Sequence, residues 1–160
     1  LTGYERQDLL SRGNIMFART RDYAQQIVQS FQVVSGGVAS HAGSLSGGNL
    51  QKFIIGRELL QKPMVLVVAH PTWGVDAGAA AAIHSALLDL ASQGTAILMV
   101  SQDLDELLQI SDRIAVLSGG RLSECMVTAD ADIGRIGLLM GGHGPENNND
   151  STGGQRAAQT

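Results

Sequence analysis

The sequence predicts an α/β fold in which a mostly parallel sheet is flanked by helices. Helical and strand patterns alternate along the chain, which is typical of this class. The two most distinct strand patterns, at residues 64–69 and 95–100, are continuous apolar runs, as expected for strands buried on both faces of a parallel sheet. With 160 residues, 44% of them hydrophobic, the chain can build a sizeable core.

The first part of the chain is predicted to be mainly helical. Residues 4–32 follow helical spacing in two pieces that break near Gly13, and the segment 36–44 is a loop rich in Gly, Ser and Ala. A helix at about 48–61 follows, and it ends there because Pro63 disfavours helical backbone in the residue before it.

The second part alternates strands and helices. The alanine-rich segment 77–93 predicts a helix closed by Gly94, and Gly119-Gly120 is a two-residue hairpin signal. After Gly141 the sequence is almost wholly Gly, Asn, Ser, Gln and charged residues, so 142–160 are predicted to be disordered. The other predicted elements are strands at 64–69 and 95–100, a helix at 103–109, hairpin strands at 113–117 and 121–127, and a last helix at 130–140.

Composition restricts the possible environments and partners. The formal net charge is −4 and no block of basic residues occurs, which argues against nucleic acid as a partner. The single cysteine, Cys125, cannot form an internal disulfide, which fits a reducing cytosol. No apolar run reaches the roughly 18 residues of a membrane span. The first residue is Leu1 rather than Met, so we expect the chain to be part of a longer protein.

The most informative stretch runs from Ser44 to Lys52 and reads Ser-Leu-Ser-Gly-Gly-Asn-Leu-Gln-Lys. It places the Ser46 hydroxyl and several backbone N–H groups at the N-terminus of a predicted helix, where the macrodipole favours an anion such as phosphate. Gly47 and Gly48 allow the backbone to approach a phosphate without a clash from Cβ. The alternative interpretation is structural: Ser46 is a helix N-cap and the two glycines form a turn.

This stretch resembles the signature of ABC ATPases, in the LSGGNxQK form typical of ATP-binding subunits of sugar and nucleoside importers. The resemblance implies a partial P-loop NTPase (ABC ATPase) domain, from the C-terminal half of the second nucleotide-binding domain of an importer ATPase. It divides the chain into a portion of the helical subdomain at 1–44, the signature helix with the C-terminal half of the ATPase core at 45–141, and a disordered tail at 142–160.

The resemblance also locates the positions of the catalytic carboxylates. Ala69 stands where the family has the Asp that orders Mg²⁺, and His70 stands where it has the Glu that polarises the attacking water. Pro71-Thr72 and Gly74-Val75-Asp76 match the loop that follows, with Asp76 as the D-loop residue. An alanine cannot hold a metal, so no metal ligand is assigned. A neutral His70 could accept a proton, but a polar residue at a strand end is the favoured interpretation.

Other parts of the family's site are altered or missing. Gln102 occupies the position of the switch His that contacts the γ-phosphate, and it can donate a hydrogen bond without carrying a charge. A Walker A motif needs a Lys directly after a Gly, whereas neither Lys52 nor Lys62, the two lysines of the chain, follows one. No catalytic residue is therefore intact, and the chain alone is not expected to hydrolyse ATP.

In this family two ATP molecules lie between head-to-tail domains, and each site combines one domain's Walker motifs with the other's signature. The resemblance therefore implies that Ser46, Gly47, Gly48 and Gln51 contact ATP in the site of a partner domain, which holds most of the Mg²⁺ coordination. The implied cofactors are ATP and Mg²⁺. The implied partners are another ABC nucleotide-binding domain and membrane permease subunits at the cytoplasmic face of the membrane, with no nucleic acid.

The expected function is to energise the uptake of a nucleoside or a simple sugar. One alternative is a soluble ABC ATPase that acts on ribosomes or DNA, which 11 basic against 15 acidic residues disfavour. Another is a degenerate ABC module with a regulatory role, which binds a partner and never turns over ATP.

Overall fold

The computed structural model describes residues 9–142, which form two units. The first unit ends at Asp103 and the second begins at Leu104. The elements of the first unit are β1 (Leu10–Ser11), β2 (Asn14–Ile15), α1 (Phe17–Ser30), α2 (Gly47–Leu59), β3 (Val65–Ala69), α3 (Ala77–Ser92) and β4 (Ala96–Val100). Those of the second are α4 (Leu104–Ile110), β5 (Arg113–Ile114), β6 (Leu117–Ser118), β7 (Arg121–Leu122), β8 (Met126–Val127) and α5 (Ile133–Met140).

The start of the described chain differs from the sequence prediction. We expected helical structure on both sides of Gly13, but β1 and β2 form an antiparallel hairpin in which Leu10 pairs with Ile15. Arg12 and Gly13 both have positive φ, 50° and 79°, as a two-residue hairpin turn with matching twist requires. The helix expected before Gly13 is therefore wrong for residues 10–13, and its first residues lie outside the described range.

Helices α1 and α2 pack closely against each other. The helical spacing of Tyr23, Ile27 and Phe31 is confirmed, and Ile27 is almost fully buried. The Tyr23 hydroxyl donates a hydrogen bond to the Arg57 carbonyl at 2.6 Å. A Cβ at Gly56 would lie 2.8 Å from Cε2 and 2.9 Å from Cγ of the Phe31 ring. Glycine at this position therefore allows the two helices to approach.

The central sheet consists of β3 and β4, which pair in parallel from Val65 with Ala96 to Ala69 with Val100. One face is covered: Leu66 and Val68 of β3 are buried, as are four apolar side chains of α3. The buried side chains of α3 are Ala79, Ile83, Leu87 and Leu90.

The opposite face of the same sheet is exposed. Val65 and Val67 are 64% and 67% exposed. On the neighbouring strand β4, Leu98 is 59% exposed and Val100 is 50% exposed. The expectation that both faces are buried is therefore wrong within residues 9–142. The physical reason is that the described residues supply a helical layer on only one side of the strands.

The remaining elements follow the predicted order with shifted ends. Helix α3 ends before Gly94, whose φ of 96° suits a helix terminus. Gly119 and Gly120 form the expected turn, with φ of 56° and 75°. Each predicted hairpin strand is split, because the Ser123 side-chain oxygen accepts the hydrogen bond of the Val116 N–H at 2.9 Å. The predicted tail lies outside the described residues apart from Gly142.

None of the helices within residues 9–142 is long and apolar enough to cross a membrane.

Buried and exposed side chains alternate along β3, so truncating two neighbouring side chains should change the free energy of unfolding by different amounts. Leu66→Ala should lower the free energy of unfolding by about 2–5 kcal/mol, because it leaves a cavity in the packed layer. Val67→Ala on the exposed face should change it by about 0.5 kcal/mol or less. Urea denaturation followed by circular dichroism measures both values, and equal losses would contradict the one-sided packing.

Candidate functional site

The N-terminus of α2 carries the signature residues. Ser46 is the N-cap residue, with extended backbone at φ −63° and ψ 156°, but its side chain makes no capping hydrogen bond to the helix. Gly47 is exposed, and a Cβ there would meet nothing within 4 Å. The first turn contains no acidic residue. This helix end therefore presents backbone N–H groups without a carboxylate of its own first turn to compete for them.

The hydroxyl of Ser46 is held by Asn49 instead. The Asn49 amide nitrogen donates to Ser46 Oγ at 2.9 Å, and the Asn49 Oδ1 accepts from the Val34 N–H at 2.8 Å. Asn49 thus links the segment after α1 to the start of α2. As an acceptor from Asn49, the Ser46 hydroxyl keeps its own proton for another partner.

Gly48 lies against the loop 70–76, which connects β3 to α3 and is called the β3–α3 loop below. A Cβ at Gly48 would lie 2.9 Å from the Gly74 carbonyl oxygen and 3.6 Å from Cα of Val75. Gly74 has φ of 70°, so its own backbone also takes a conformation that favours glycine. The two backbones approach at a distance that a larger residue at position 48 would prevent.

Lys52 and Asp76 join the same two segments by charge. Lys52 Nζ lies 3.4 Å from Asp76 Oδ2, with the lysine side chain 15% exposed and the aspartate side chain 70% exposed. Asp76 is also the N-cap of α3, where its Oδ1 accepts from the Ala79 N–H at 2.9 Å. That hydrogen bond, assisted by the Lys52 ammonium, lowers the pKa of the Asp76 carboxyl below its ordinary value of 3.8.

The end of β3 carries Ala69 and His70, the two positions at which the resemblance predicts catalytic carboxylates. Ala69 is exposed and pairs with Val100 of β4. His70 is partly buried and has φ of 48°, and its N–H donates to the Val100 carbonyl at 2.8 Å. The His70 ring meets the ring of Trp73 edge to face, with centroids 5.3 Å apart. His70 therefore follows directly after the strand, and its ring packs against a residue of the loop.

Gln51 points from α2 to the same strand end. Its amide nitrogen donates to the carbonyl oxygens of His70, at 3.0 Å, and of Pro71, at 3.1 Å. The structure thus brings Gln51, the strand end and the β3–α3 loop together. The resemblance places Gln51 among the ligands of ATP, and no local sequence pattern pairs it with two carbonyls 19 and 20 residues away.

Gln102 lies in the turn after β4. It is exposed, and the turn is closed by a hydrogen bond from the Asp103 N–H to Ser101 Oγ at 3.1 Å. Because β3 and β4 are parallel and in register up to Ala69 and Val100, His70 and Gln102 follow the same edge of the sheet.

This edge does not fit a divalent cation. The two side chains at the end of β3 are a methyl group and an imidazole, whereas Mg²⁺ requires oxygen ligands, usually from carboxylates. Within residues 9–142 no group of three or more His, Cys, Asp or Glu side chains could hold a metal ion. The start of α2, in contrast, has the hydroxyl and backbone donors that suit a phosphate.

Two contacts of the site could have been found only in part from the sequence. Asp76 before an alanine-rich helix is an N-cap signal, but no local rule pairs it with Lys52, 24 positions earlier. The link from Asn49 to Val34 is likewise non-local. These contacts depend on how α2 packs against the loop, and that packing is not encoded in the spacing of residues along one element.

Comparison with curated proteins shows clear similarity. The chain is 42% identical over 142 residues to the glucose import ATP-binding protein of Haloferax volcanii, covering 87% of this chain and 26% of that protein. It is 36% identical to the nucleoside import ATP-binding protein of Lactococcus lactis subsp. cremoris, covering 89% of this chain and 28% of that protein. The chain spans about a quarter of the length of these relatives. No family model matches it.

Solved structures show the same fold. A dimeric ATP-binding cassette in a post-hydrolysis state with ADP and phosphate superposes with a TM-score of 0.63 at 22% identity, over 74% of this chain and 51% of that one. A nucleotide-free ATP-binding cassette of an ABC transporter has a TM-score of 0.54 at 29% identity, over 66% of this chain and 42% of that one. The predicted α/β fold of a P-loop ATPase of the ABC type is thereby confirmed.

The lowered pKa of Asp76 predicts a pH-dependent contribution to stability. Because the folded pKa lies below the unfolded one, the charged carboxylate stabilises the fold fully above about pH 5, and this contribution disappears as the pH falls through the folded pKa. Asp76→Asn keeps an N-cap residue but removes the charge. The stability difference between wild type and Asp76→Asn should therefore be constant near neutral pH and shrink below pH 3.8.

Urea denaturation at several pH values measures this difference. Asp89→Asn removes one negative charge from the exposed part of the same helix, α3, and corrects for the change in net charge. A difference between wild type and Asp76→Asn that does not vary between neutral and acidic pH would contradict the assigned role.

Proposed function

Because the chain is homologous to part of the ATP-binding proteins of ABC importers for sugars and nucleosides, and has the fold of an ABC ATPase cassette, we propose that it supplies the signature side of an ATP site. In this role Ser46, Gly47 and Gly48 bind the phosphates of an ATP whose other contacts come from a second nucleotide-binding domain. The assembled importer takes up a simple sugar or a nucleoside with the energy of that ATP.

The geometry at the start of α2 is the observation that carries the proposal. Ser46 keeps its hydroxyl proton, Gly47 leaves open space beside the backbone, and the first turn has no acidic side chain. Backbone N–H groups and the helix dipole together stabilise negative charge on a phosphate, and they need no residue to be deprotonated. Such an electrostatic contribution assists phosphoryl transfer even when the catalytic groups belong to another domain.

The altered strand end supports an unequal division of roles. Ala69 and His70 provide no carboxylate for Mg²⁺ or for the attacking water, and the His70 ring packs on Trp73. A site built on this edge of the sheet would lack the groups that position metal and water. We therefore assign hydrolysis to the site that this chain completes in trans, with Mg²⁺ held by the partner domain.

The proposed location follows from the same role. The ATP-binding domain would lie at the cytoplasmic face of the membrane, attached through permease subunits, with a second nucleotide-binding domain as its direct partner.

The strand end of β3 also favours a second candidate, a degenerate ABC module that associates with a partner and regulates it without contributing to hydrolysis. The two candidates differ in whether the signature loop affects turnover.

Substitution in the signature should abolish ATP hydrolysis by the assembled transporter. Ser46→Arg places a bulky side chain where the phosphate would bind and removes the hydroxyl donor, so the steady-state rate should fall about a hundredfold or more. His70→Ala should change the rate little, because its side chain has no catalytic task in this proposal.

The matched control is Ala42→Arg, which adds the same charge at an exposed position of the short 3-10 turn before α2. It should leave the rate close to that of wild type. Equal losses from Ser46→Arg and His70→Ala would contradict the unequal roles, and an unchanged rate in Ser46→Arg would favour the regulatory module.

A further inference from the structure

We propose that Gln51 is a positioning residue, which fixes the β3–α3 loop to the signature helix and does not bind the nucleotide itself. Its side-chain nitrogen has two N–H donors, and it donates to two carbonyl oxygens, those of His70 and Pro71. Because both partners are acceptors, the nitrogen rather than the oxygen of the amide must face them. The only group left is Oε1, an acceptor that would repel a phosphate oxygen.

The two carbonyls lie where the chain leaves the sheet. His70 has left-handed backbone, which turns the chain away from the ladder after its N–H bond to Val100. Pro71, which follows, is almost fully buried and has no N–H. Carbonyls in such a partly buried turn need hydrogen-bond donors, and the Gln51 amide provides one for each of them. The His70 carbonyl also accepts from the Trp73 N–H at 3.2 Å, so the first turn of the loop is organised around it.

Gln51 belongs to a set of three residues on one face of α2. Gly48, Gln51 and Lys52 are separated by three and four positions, the spacing that places side chains on the same side of a helix. Gln51 contacts the beginning of the β3–α3 loop, Gly48 its middle at the Gly74 carbonyl, and Lys52 its end at Asp76. The helix therefore meets the loop at three points, through two hydrogen bonds of Gln51, one close backbone approach and one ion pair.

Through these contacts, the position of the end of β3 affects the position of the first turn of α2, and this effect does not depend on catalytic side chains. A shift at the end of β3 moves the carbonyls that Gln51 holds, and with them the first turn of α2. Ser46 and Gly47 begin that turn, so their position depends on the bond between Gln51 and the loop. The significance for ATP rests on the proposed function, whereas the mechanical link can be tested without nucleotide.

Hydrogen exchange in the nucleotide-free chain tests the link. The N–H groups of Trp73 and Val75 are bonded within the loop, to the carbonyls of His70 and Thr72. Gln51→Glu removes the donors and sets a carboxylate against two carbonyl oxygens, so both amides should exchange about tenfold faster or more. Gln51→Met, which keeps the length of the side chain without its donors, should give a smaller increase. Amides of α1 serve as an internal reference for global unfolding.

The matched control is Gln25→Glu, the same change at an exposed position of α1, and it should leave both loop amides unchanged. Unchanged exchange of Trp73 and Val75 in both Gln51 variants, or equal acceleration of the loop and of α1, would overturn the proposal.

Turnover by the assembled transporter distinguishes positioning from nucleotide binding. A positioning role predicts that Gln51→Met lowers kcat while the KM for ATP stays within about twofold. A direct ligand role predicts a raised KM with normal exchange in the loop, and this result would overturn the proposal. If Ser46→Arg leaves turnover intact, the proposed function fails, while the exchange of the loop amides still decides the role of Gln51.

Discussion

The structure of the site depends on the close approach of two backbone segments, the first turn of α2 and the loop after β3. A Cβ at Gly48 would lie 2.9 Å from the Gly74 carbonyl oxygen, so this packing excludes any larger residue at position 48. The hydrogen bonds of Gln51 and the ion pair of Lys52 with Asp76 can form only when the two segments are this close. The glycine at position 48 therefore allows the close approach, and the polar contacts then fix how the two segments lie against each other.

At the end of β3, side chains and backbone have different roles. The side chains would supply groups for catalysis, whereas the backbone carbonyls hold the β3–α3 loop to α2. Ala69 and His70 lack the carboxylates that metal and water require, yet both keep their place beside Val100 of β4. The contacts that hold the loop to α2 use the His70 carbonyl, not its side chain. Because backbone atoms of the strand end accept these bonds, the contacts of Gln51 do not require any particular side chain at positions 69 and 70.

The sequence predicted those features that local patterns determine. The central helices, the order of β3 and β4, and the turn at Gly119 follow from spacing, apolar runs and glycine signals. The hairpin at Arg12 was missed because its strands are only two residues long, too short to show a period. The exposure of Val67 was missed because an apolar run does not reveal whether a second layer covers it. The pairing of Lys52 with Asp76 was missed because it depends on tertiary packing.

The source of the positive potential at the start of α2 explains why positioning matters so much there. Lys52, the charged residue of the signature, is paired with Asp76 and largely buried, so its charge is partly neutralised where it stands. For a phosphate bound as proposed, the attraction would come mainly from backbone N–H groups and the helix dipole, equivalent to roughly half an elementary charge and effective only within the first turn. A field of such short range gives little stabilisation to an anion that is slightly misplaced. Contacts that fix the turn, such as those of Gln51, therefore affect how well it stabilises the charge that develops during phosphoryl transfer.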